Sequence, residues 1–288
     1  MKKLKKYLLL IIAVGFYFAS CDVIEEPFIV AQEEVSDSCE AFIFSPVENY
    51  TKKVFLEDYT GHTCGNCPRA AEKAAELQNT FGDQLVVVAV HSGFFSNTST
   101  YPTDFTTESG DAWDELFGNS NAGNPNGMID RLGFPSSNIL QYSQWEEKIT
   151  TQIQIEPLVG LQIKSSYNNT LNLICIDVES KILGAIPSDL NLTVVLIESG
   201  IISKQTDYST ASGYVEDYEQ NHVLRIGLTN PWGESLGQNS YSENELFTHR
   251  YSIEKQDDWE ASNMSVVAFI SNPETYEVLQ AEEIHLIE

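Results

Sequence analysis

Basic residues are scarce in this chain of 288 residues. It carries 16 lysines and arginines against 42 aspartates and glutamates, which gives a formal charge of −26 at pH 7. Proteins bind nucleic acids and anionic lipid surfaces mainly through lysine and arginine, so no nucleic acid is expected as a partner. The acids form no long run of their own, which indicates a solvated acidic surface rather than an acidic tail.

Long apolar runs are also rare, and the strong one lies at the N-terminus. Four lysines between residues 2 and 6 precede an apolar run over residues 7–18, which is too short to span a bilayer comfortably. This pattern predicts an export signal over residues 1–20. Its removal leaves 12 basic and 42 acidic residues, a formal charge of −30.

The signal ends at Ser20, and the sequence Phe18-Ala19-Ser20-Cys21 across its end resembles the lipobox of bacterial lipoproteins. In such proteins the cysteine is acylated and becomes the mature N-terminus, although leucine is usual where Phe18 stands. We therefore expect Cys21 to be lipidated and to hold the protein on a membrane. An ordinary cleaved signal with an incidental cysteine is the alternative. Residues 21–45 are acidic and predict a tether, in which residues 42–44 can form an edge strand.

Cysteine is limited to five positions, and without Cys21 there remain Cys39, Cys64, Cys67 and Cys175. Export places them where disulfides persist. Cys64 and Cys67 can close on each other, whereas Cys39 and Cys175 either pair or stay free. A single CxxC supplies two of the four ligands that zinc usually takes, and no second pair lies nearby. No metal and no other cofactor are therefore expected.

The Cys64–Cys67 pair lies between a strand and a helix. Residues 53–59 are strand-like, and an alanine-rich helix is expected over residues 68–81 with a proline in its first turn. A helix N-terminus stabilises a thiolate through its free N–H groups and its dipole. The layout indicates a thiol–disulfide exchange site in which Cys64, the more exposed thiol, attacks and Cys67 resolves. A structural disulfide that staples the turn, or a metal ligand pair, is the alternative.

Residues 46–155 alternate strand and helix patterns. The continuous β-branched run at residues 85–90 is typical of a strand buried on both faces of a sheet. A stretch rich in Ser, Thr, Asn and Gly follows. Further elements are expected as a helix at residues 111–117, a strand at residues 127–132 and a helix at residues 138–153.

This order, with a CxxC at the first strand-to-helix turn, resembles the thioredoxin fold. The resemblance implies that Pro125 is a cis-proline facing the cysteine pair, and that Asn124 stands where substrate backbone is read. Thr63 occupies the position where thioredoxins usually have tryptophan.

The resemblance also implies a buried acid that helps to move the proton of Cys67. Asp58, six residues before Cys64, is the matching residue, and Glu57 is the alternative if the strand register differs by one. His62 also belongs to the candidate site. As a partial cation it would lower the pKa of the Cys64 thiol, and the equal alternative is a histidine that is exposed or hydrogen-bonds the turn.

Short alternating strands begin at about residue 156. Together they predict an immunoglobulin-like β-sandwich over residues 156–288, without the Cys…Trp…Cys framework of a true immunoglobulin. Residues 199–220 are interpreted as a polar excursion. Strands are expected at residues 158–166, 171–178, 192–198, 222–228, 247–253, 264–271 and 277–287.

Two further groups of residues carry alternatives. His222 and Arg225 lie three apart on an expected strand and so point to opposite faces, which favours a polar contact between domains over a joint site. A cluster of aromatic residues either lines a groove for a polypeptide or pins a long loop to its own domain. The cluster comprises Phe94, Phe95, Tyr101, Phe105, Trp113 and Phe117.

The lipoprotein signal, the motif Gly61-His62-Thr63-Cys64-Gly65-Asn66-Cys67-Pro68 and a β-rich part carrying Asn221-His222-Val223-Leu224-Arg225 occur together. The chain resembles the twenty-eight-kilodalton outer-membrane protein family of Bacteroidetes-type bacteria. The resemblance implies a lipid anchor at the outer membrane, on its periplasmic or cell-surface face, without a settled activity. We expect thiol–disulfide exchange with exported proteins or an envelope partner. A non-catalytic binding or structural lipoprotein is the competing hypothesis.

Overall fold

Apolar, β-branched runs form the three strands of the N-terminal part. The computed structural model describes residues 39–286 and places these strands at Val54–Thr60 (β1), Leu85–His91 (β2) and Asn126–Ile129 (β3). Strand β1 pairs in parallel with β2 and antiparallel with β3. Every residue of β1 and β2 is buried, which confirms the expectation of a strand covered on both faces at residues 85–90.

Four α-helices accompany these strands in the part of the chain that the structure describes. Helix α1 starts one residue before its predicted beginning, with Pro68 in its first turn, and the helix expected over residues 138–153 is shorter and follows a 3-10 turn. Strand β3 ends before Asp130, because Asp130 and Arg131 adopt positive φ angles that no extended strand allows. The helices are α1 (Cys67–Phe81), α2 (Glu108–Phe117), α3 (Asn119–Ala122) and α4 (Trp145–Gln152).

The C-terminal half contains ten of the described strands, and all seven that the sequence predicts are among them. They are β4 (Val159–Asn168), β5 (Leu173–Ile182), β6 (Asn191–Glu198), β7 (Ile201–Thr206), β8 (Tyr214–Gln220), β9 (Val223–Gly227), β10 (Glu234–Ser235), β11 (Leu246–Glu254), β12 (Met264–Ser271) and β13 (Val278–His285).

Residues 199–220 are polar, as interpreted, but they contain two strands that the sequence analysis did not predict. Strands β7 and β8 pair with each other as a two-stranded antiparallel hairpin, separate from the larger sheets. Its strands are easy to miss in the sequence, because most of their residues are polar and partly or fully exposed.

The largest sheet takes strands from both halves of the chain, in the order β13-β12-β6-β9-β2-β1-β3 with β10 beside β6. The junction lies between β2 and β9, where Ala89 pairs in parallel with Val223 and the Ala89 N–H donates to the His222 carbonyl at 2.8 Å. Residues 39–286 accordingly belong to one compact unit.

Both faces of this sheet are covered. One hydrophobic cluster joins α2 to side chains from both halves, such as Val88, Trp113 and Phe269. On the opposite face, α1 and α4 cover the β1–β3 end. The three-stranded sheet β11-β5-β4 covers the β6–β12 end of that face, where alternate residues of each strand point to the same side.

The expectation of an immunoglobulin-like sandwich is therefore corrected in one respect. Two sheets do pack face to face in the C-terminal half, but the larger one continues into the N-terminal half through β9 and β2. The division into domains at residues 46–155 and 156–288 stays a prediction, and the shared sheet argues against separate folding.

The segment before β1 is fixed by covalent and polar contacts. Cys39 forms a disulfide with Cys175 of β5, with 5.7 Å between their Cα atoms, which decides between the paired and free alternatives. No edge strand forms at residues 42–44, because the Phe42 N–H donates to the Asp177 carboxylate instead of a strand. The predicted signal and most of the predicted tether lie outside the described residues. Among residues 39–286, no helix has the length and apolar character needed to cross a membrane.

The shared sheet predicts that residues 156–288 will not fold cooperatively alone. This fragment lacks β2, and it would expose the β9 edge and the apolar side chains that now pack against α2. Circular dichroism melting should show no cooperative transition for the fragment carrying Cys175→Ser. Residues 37–288 carrying Cys39→Ser and Cys175→Ser are the matched control and should melt cooperatively. A cooperative melt of the short fragment would contradict this expectation.

Candidate functional site

The Cys64–Cys67 disulfide lies in the turn that joins β1 to α1. The Cys64 N–H donates to the Gly61 carbonyl at 2.9 Å, and the Cys67 N–H donates to the Cys64 carbonyl at 3.2 Å. These bonds wind the chain into the helix, so that Cys67 becomes the first residue of α1. The two Cα atoms are 5.4 Å apart and the sulfurs are bonded, as the spacing predicts. Cys64 therefore sits beside the free N–H groups of the helix start.

Both cysteines are buried, each with 2% of its surface exposed. The expectation that Cys64 is the more exposed thiol is therefore wrong. The cause is the β7–β8 hairpin, which lies over the turn. The Thr206 N–H donates to the His62 carbonyl and the Tyr208 N–H donates to the Gly65 carbonyl, both at 2.9 Å.

Asp58 and Cys67 line the same cavity, of about 220 Å³, between β1, β2, α1 and the hairpin. Asp58 is 3% exposed, and one of its carboxylate oxygens has no hydrogen-bond partner among the described residues. Burial raises the pKa of Asp58 from 3.8 to about 7. The side chain is thus able to take up or release a proton near neutral pH, in the cavity that Cys67 also lines.

Glu57, the alternative acid, points to the other face of the sheet. Both of its carboxylate oxygens accept hydrogen bonds from the Arg131 guanidinium, at 2.8 and 3.0 Å. Arg131 in turn packs on the rings of Trp113 and Phe269. The structure therefore places Asp58, and not Glu57, at the candidate site, because successive strand residues alternate between faces.

Two histidines line the cavity as well. His91 ends β2 and has no hydrogen-bond partner for either ring nitrogen among the described residues, and His222 has none for Nδ1. Burial lowers the pKa of His91 to about 3 and that of His222 to about 4, so both rings are neutral at pH 7. The His222 backbone N–H donates to the Ser199 hydroxyl, and the His222 carbonyl accepts from the Ala89 N–H. The second of these bonds is the expected polar contact between the two halves. Arg225 lies apart from it and pairs with Glu198.

His62 is completely buried beneath the loop that follows β2. Its Nε2–H donates to the Asn97 carbonyl at 3.1 Å, and its ring lies against Tyr101 and Phe105. Burial lowers the pKa of His62, so the ring is neutral at pH 7. Of the two alternatives for His62, this geometry matches a histidine that hydrogen-bonds nearby loop backbone. A neutral imidazole does not stabilise the Cys64 thiolate by charge.

Pro125 directly precedes β3, and the Asn124–Pro125 peptide bond is cis, as the resemblance implies. The pairing of Tyr59 with Asn126 brings Pro125 beside Thr60 at the end of β1, four residues before Cys64. The Asn124 side-chain amide donates to the Thr60 carbonyl at 3.1 Å. The structure thus brings this turn to the same end of the sheet as the cysteine pair.

Most of the aromatic cluster pins the loops around the site. Phe105 packs against His62 and His91, and Trp113 and Phe117 belong to the hydrophobic cluster that joins α2 to both halves of the chain. Phe94 is the exception, with 78% of its surface exposed.

Sequence reasoning missed the residues that the hairpin brings to the site, namely Gln205, Tyr208, Tyr218 and Gln220. They lie about 140 residues after the cysteines. Burial alternates along residues 203–206 in the structure, but the sequence Ile-Ile-Ser-Lys-Gln-Thr at residues 201–206 does not alternate between apolar and polar residues and so carries no strand signal. Among residues 39–286, no three His, Cys, Asp or Glu side chains are grouped to hold a metal ion.

Asp58→Asn should stabilise the protein at high pH and leave it unchanged at low pH. The raised pKa means that ionising the buried carboxylate opposes folding. That penalty is absent below pH 4, grows between pH 4 and 7, and reaches on the order of 4 kcal/mol above pH 7. Asparagine cannot ionise, so urea unfolding at pH 8 should show a free energy higher by a few kcal/mol, with little change at pH 4.

Asp257→Asn is the matched control, because Asp257 is exposed and far along the chain from the cavity. It should leave the free energy of unfolding unchanged at both pH values. An equal effect of Asp58→Asn at pH 4 and pH 8 would show that the carboxyl does not titrate near neutrality.

Comparisons with known proteins agree with this architecture. The family model for outer membrane protein Omp28 matches residues 111–286, which is more than half of the chain. HBP35 of Porphyromonas gingivalis has a similar fold, with a TM-score of 0.63 and 20% identity over 83% of this chain and 76% of that one. No curated protein matches.

A domain of the outer membrane lipoprotein Omp28 from Porphyromonas gingivalis is 20% identical over 46% of this chain and 89% of that one, with a TM-score of 0.30. A protein of Agrobacterium tumefaciens is 11% identical over 82% of this chain and 95% of that one, with a TM-score of 0.48. The match of the family model carries the assignment. The chain belongs to the Omp28 family of outer membrane proteins.

Proposed function

We propose that this outer membrane protein is a lipid-anchored thiol–disulfide oxidoreductase that acts on exported proteins. One observation carries the proposal. Cys67 and Asp58 line the same cavity, one buried oxygen of Asp58 has no partner among the described residues, and the pKa of Asp58 is about 7. A buried acid that titrates near neutrality in the same cavity as a redox-capable cysteine indicates a functional arrangement, because it costs stability and pairs with no group among residues 39–286.

The chemistry needs only the two cysteines and one proton acceptor. In the reduced form, the Cys64 thiolate attacks one sulfur of a substrate disulfide, and the S–S bond breaks to release one substrate thiolate. Asp58 takes the proton of Cys67, whose thiolate then attacks the Cys64 sulfur. The second substrate thiolate leaves, and the Cys64–Cys67 disulfide remains. Two electrons pass from the protein to the substrate, so no cofactor is required, and the reverse sequence oxidises a dithiol.

The chain topology around the pair supports a thioredoxin-like unit. Strand β1, helix α1 and strand β2 follow one another as a parallel β-α-β unit, and β3 adds antiparallel on the other side of β1. In this arrangement the turn of the Cys64–Cys67 pair and the turn before β3 meet at one end of the sheet. The resemblance assigns Cys64, Cys67, Asp58 and Pro125 to an exchange site on that basis.

A structural disulfide in a non-catalytic envelope lipoprotein is the second candidate. The burial of both cysteines favours this candidate, because a structural disulfide does not need to be reached by other thiols. The two candidates differ in reduction potential, because structural bridges lie below about −300 mV and exchange sites lie above that value.

We expect the Cys64–Cys67 pair to have a potential above about −300 mV and to catalyse insulin reduction by dithiothreitol. The potential is best measured on the Cys39→Ser, Cys175→Ser protein, in which one redox pair titrates against glutathione or dithiothreitol buffers. Cys64→Ser should abolish insulin reduction in that background. A potential below about −300 mV together with no catalysis would show that the Cys64–Cys67 bond is a structural disulfide.

The partners follow from the same chemistry. With Cys67→Ser the resolving thiol is absent, so mixed disulfides between Cys64 and exported proteins should accumulate in cells and be released by reductant. Cys64→Ser, Cys67→Ser is the matched control and should trap none.

Lipidation of Cys21 is the second part of the proposal, and this residue lies outside the described range. Its support is the sequence Ala19-Ser20-Cys21 after an apolar run, together with membership of an outer membrane family. Cys21→Ala should move the protein from the membrane fraction to the soluble fraction and remove its labelling by radioactive palmitate. Retention on membranes after a high-salt wash, without a change in labelling, would contradict the anchor.

A further inference from the structure

The β7–β8 hairpin closes over the Cys64–Cys67 turn through backbone and side-chain contacts. Besides the backbone bonds from Thr206 and Tyr208, the Gln205 side chain reaches into the turn. Its Nε2 donates toward the Gly61 and Cys64 carbonyls, at 3.3 and 3.1 Å. The Gln220 amide donates to the Gln205 Oε1 at 3.0 Å and so fixes its orientation. The hairpin thus satisfies the carbonyl groups that surround the disulfide.

Tyr208 completes the cover. Its ring lies directly against Gly65, and a Cβ atom at residue 65 would stand 2.5 Å from the ring carbons. Because Gly65 has no side chain, the Tyr208 ring can pack against the backbone between the two cysteines. The outer side of the ring remains exposed.

The hairpin is held to the rest of the protein by polar contacts rather than by a hydrophobic core. None of its residues belongs to the three hydrophobic clusters of residues 39–286. The side chains that it buries are polar, namely Ser203, Gln205, Asp207 and Gln220. A two-stranded hairpin has little stability of its own, so polar contacts with the turn determine whether it stays closed.

We propose that the β7–β8 hairpin is a lid that sets access to the Cys64–Cys67 disulfide. When closed, it keeps thiols and disulfides of other molecules from both sulfurs. When it opens, the large sheet and its hydrophobic clusters remain intact, because the lid contributes nothing to them. The lid deepens the proposed function, since it decides which partners reach the pair, but its test measures access alone.

The test follows the reduction of each disulfide by dithiothreitol in the otherwise native, oxidised full-length mature protein carrying Cys21→Ala. One dithiothreitol thiolate attacks a protein sulfur, the second closes the reductant's ring, and two protein thiols form as the reductant is oxidised. Quenching with iodoacetamide followed by mass spectrometry reports Cys64–Cys67 and Cys39–Cys175 separately. The second disulfide is an internal control, because no hairpin residue makes a described contact with it.

Three variants loosen the lid by different means. Gln205→Ala removes two hydrogen bonds to the turn, Tyr208→Ala removes the covering ring, and Gly65→Ala pushes that ring away. Each should accelerate reduction of Cys64–Cys67 by about tenfold, which corresponds to the 1.4 kcal/mol that one or two net hydrogen bonds supply. Gly65→Ala should add nothing in the Tyr208→Ala background, because the two changes act on one contact.

Tyr214→Ala is the matched control, since Tyr214 lies on the same hairpin but its ring packs on Lys204 and not on the turn. It should change the rate by less than about twofold, the scale of a surface substitution. Unchanged reduction of Cys64–Cys67 in all three lid variants would overturn the lid. Equal acceleration of both disulfides would also overturn it, because access would then follow general unfolding.

These outcomes are separate from those of the proposed function. Accelerated reduction in the lid variants, combined with a potential below about −300 mV, would retain the lid and reject exchange activity. Unchanged reduction combined with active insulin reduction would do the reverse.

Discussion

The junction of β2 with β9 determines the rest of the structure. A single parallel pairing of Ala89 with Val223, reinforced by the bond from the Ala89 N–H to the His222 carbonyl, unites strands from the two halves into one sheet. Strand β9 begins directly after the hairpin, so this junction also fixes where the hairpin lies. The cysteine turn, the cavity and the cover over both are therefore assembled by residues more than 130 positions apart.

Burial beneath this cover affects the protonation of each polar group at the site differently. Glu57 and Asp58 are adjacent and both buried, but Glu57 pairs with the Arg131 guanidinium, whereas one Asp58 oxygen has no partner among residues 39–286. Ionisation of Asp58 is therefore opposed by desolvation alone, which raises its pKa into the range useful for proton transfer. The neighbouring histidines are driven the other way by the same desolvation and act as neutral groups. The proposed chemistry thus relies on one titrating acid.

Local patterns were sufficient to predict the elements that carry the cysteine pair. The apolar run at residues 85–90 and the alanine-rich stretch after Pro68 each specify their structure within a few residues. The choice between Asp58 and Glu57 needed the two faces of β1, because α1 packs on the Asp58 face and Arg131 pairs with Glu57 on the other. The hairpin could not be foreseen, because its buried face is polar and its partners lie in a turn some 140 residues earlier. The shared sheet was not predicted either, because the sequence of β9 predicts a short strand without indicating that its partner is β2.

Native-state hydrogen exchange at the Ala89 amide tests most directly whether one sheet unites the two halves. If the junction is part of a single cooperative unit, this amide exchanges only with global unfolding, at the same free energy as the central amides of β1 and β12. The hairpin amides of Thr206 and Tyr208 should then exchange at a much lower free energy, through local opening. Rapid exchange at Ala89, with separate protection levels for residues 54–152 and 159–285, would contradict the account.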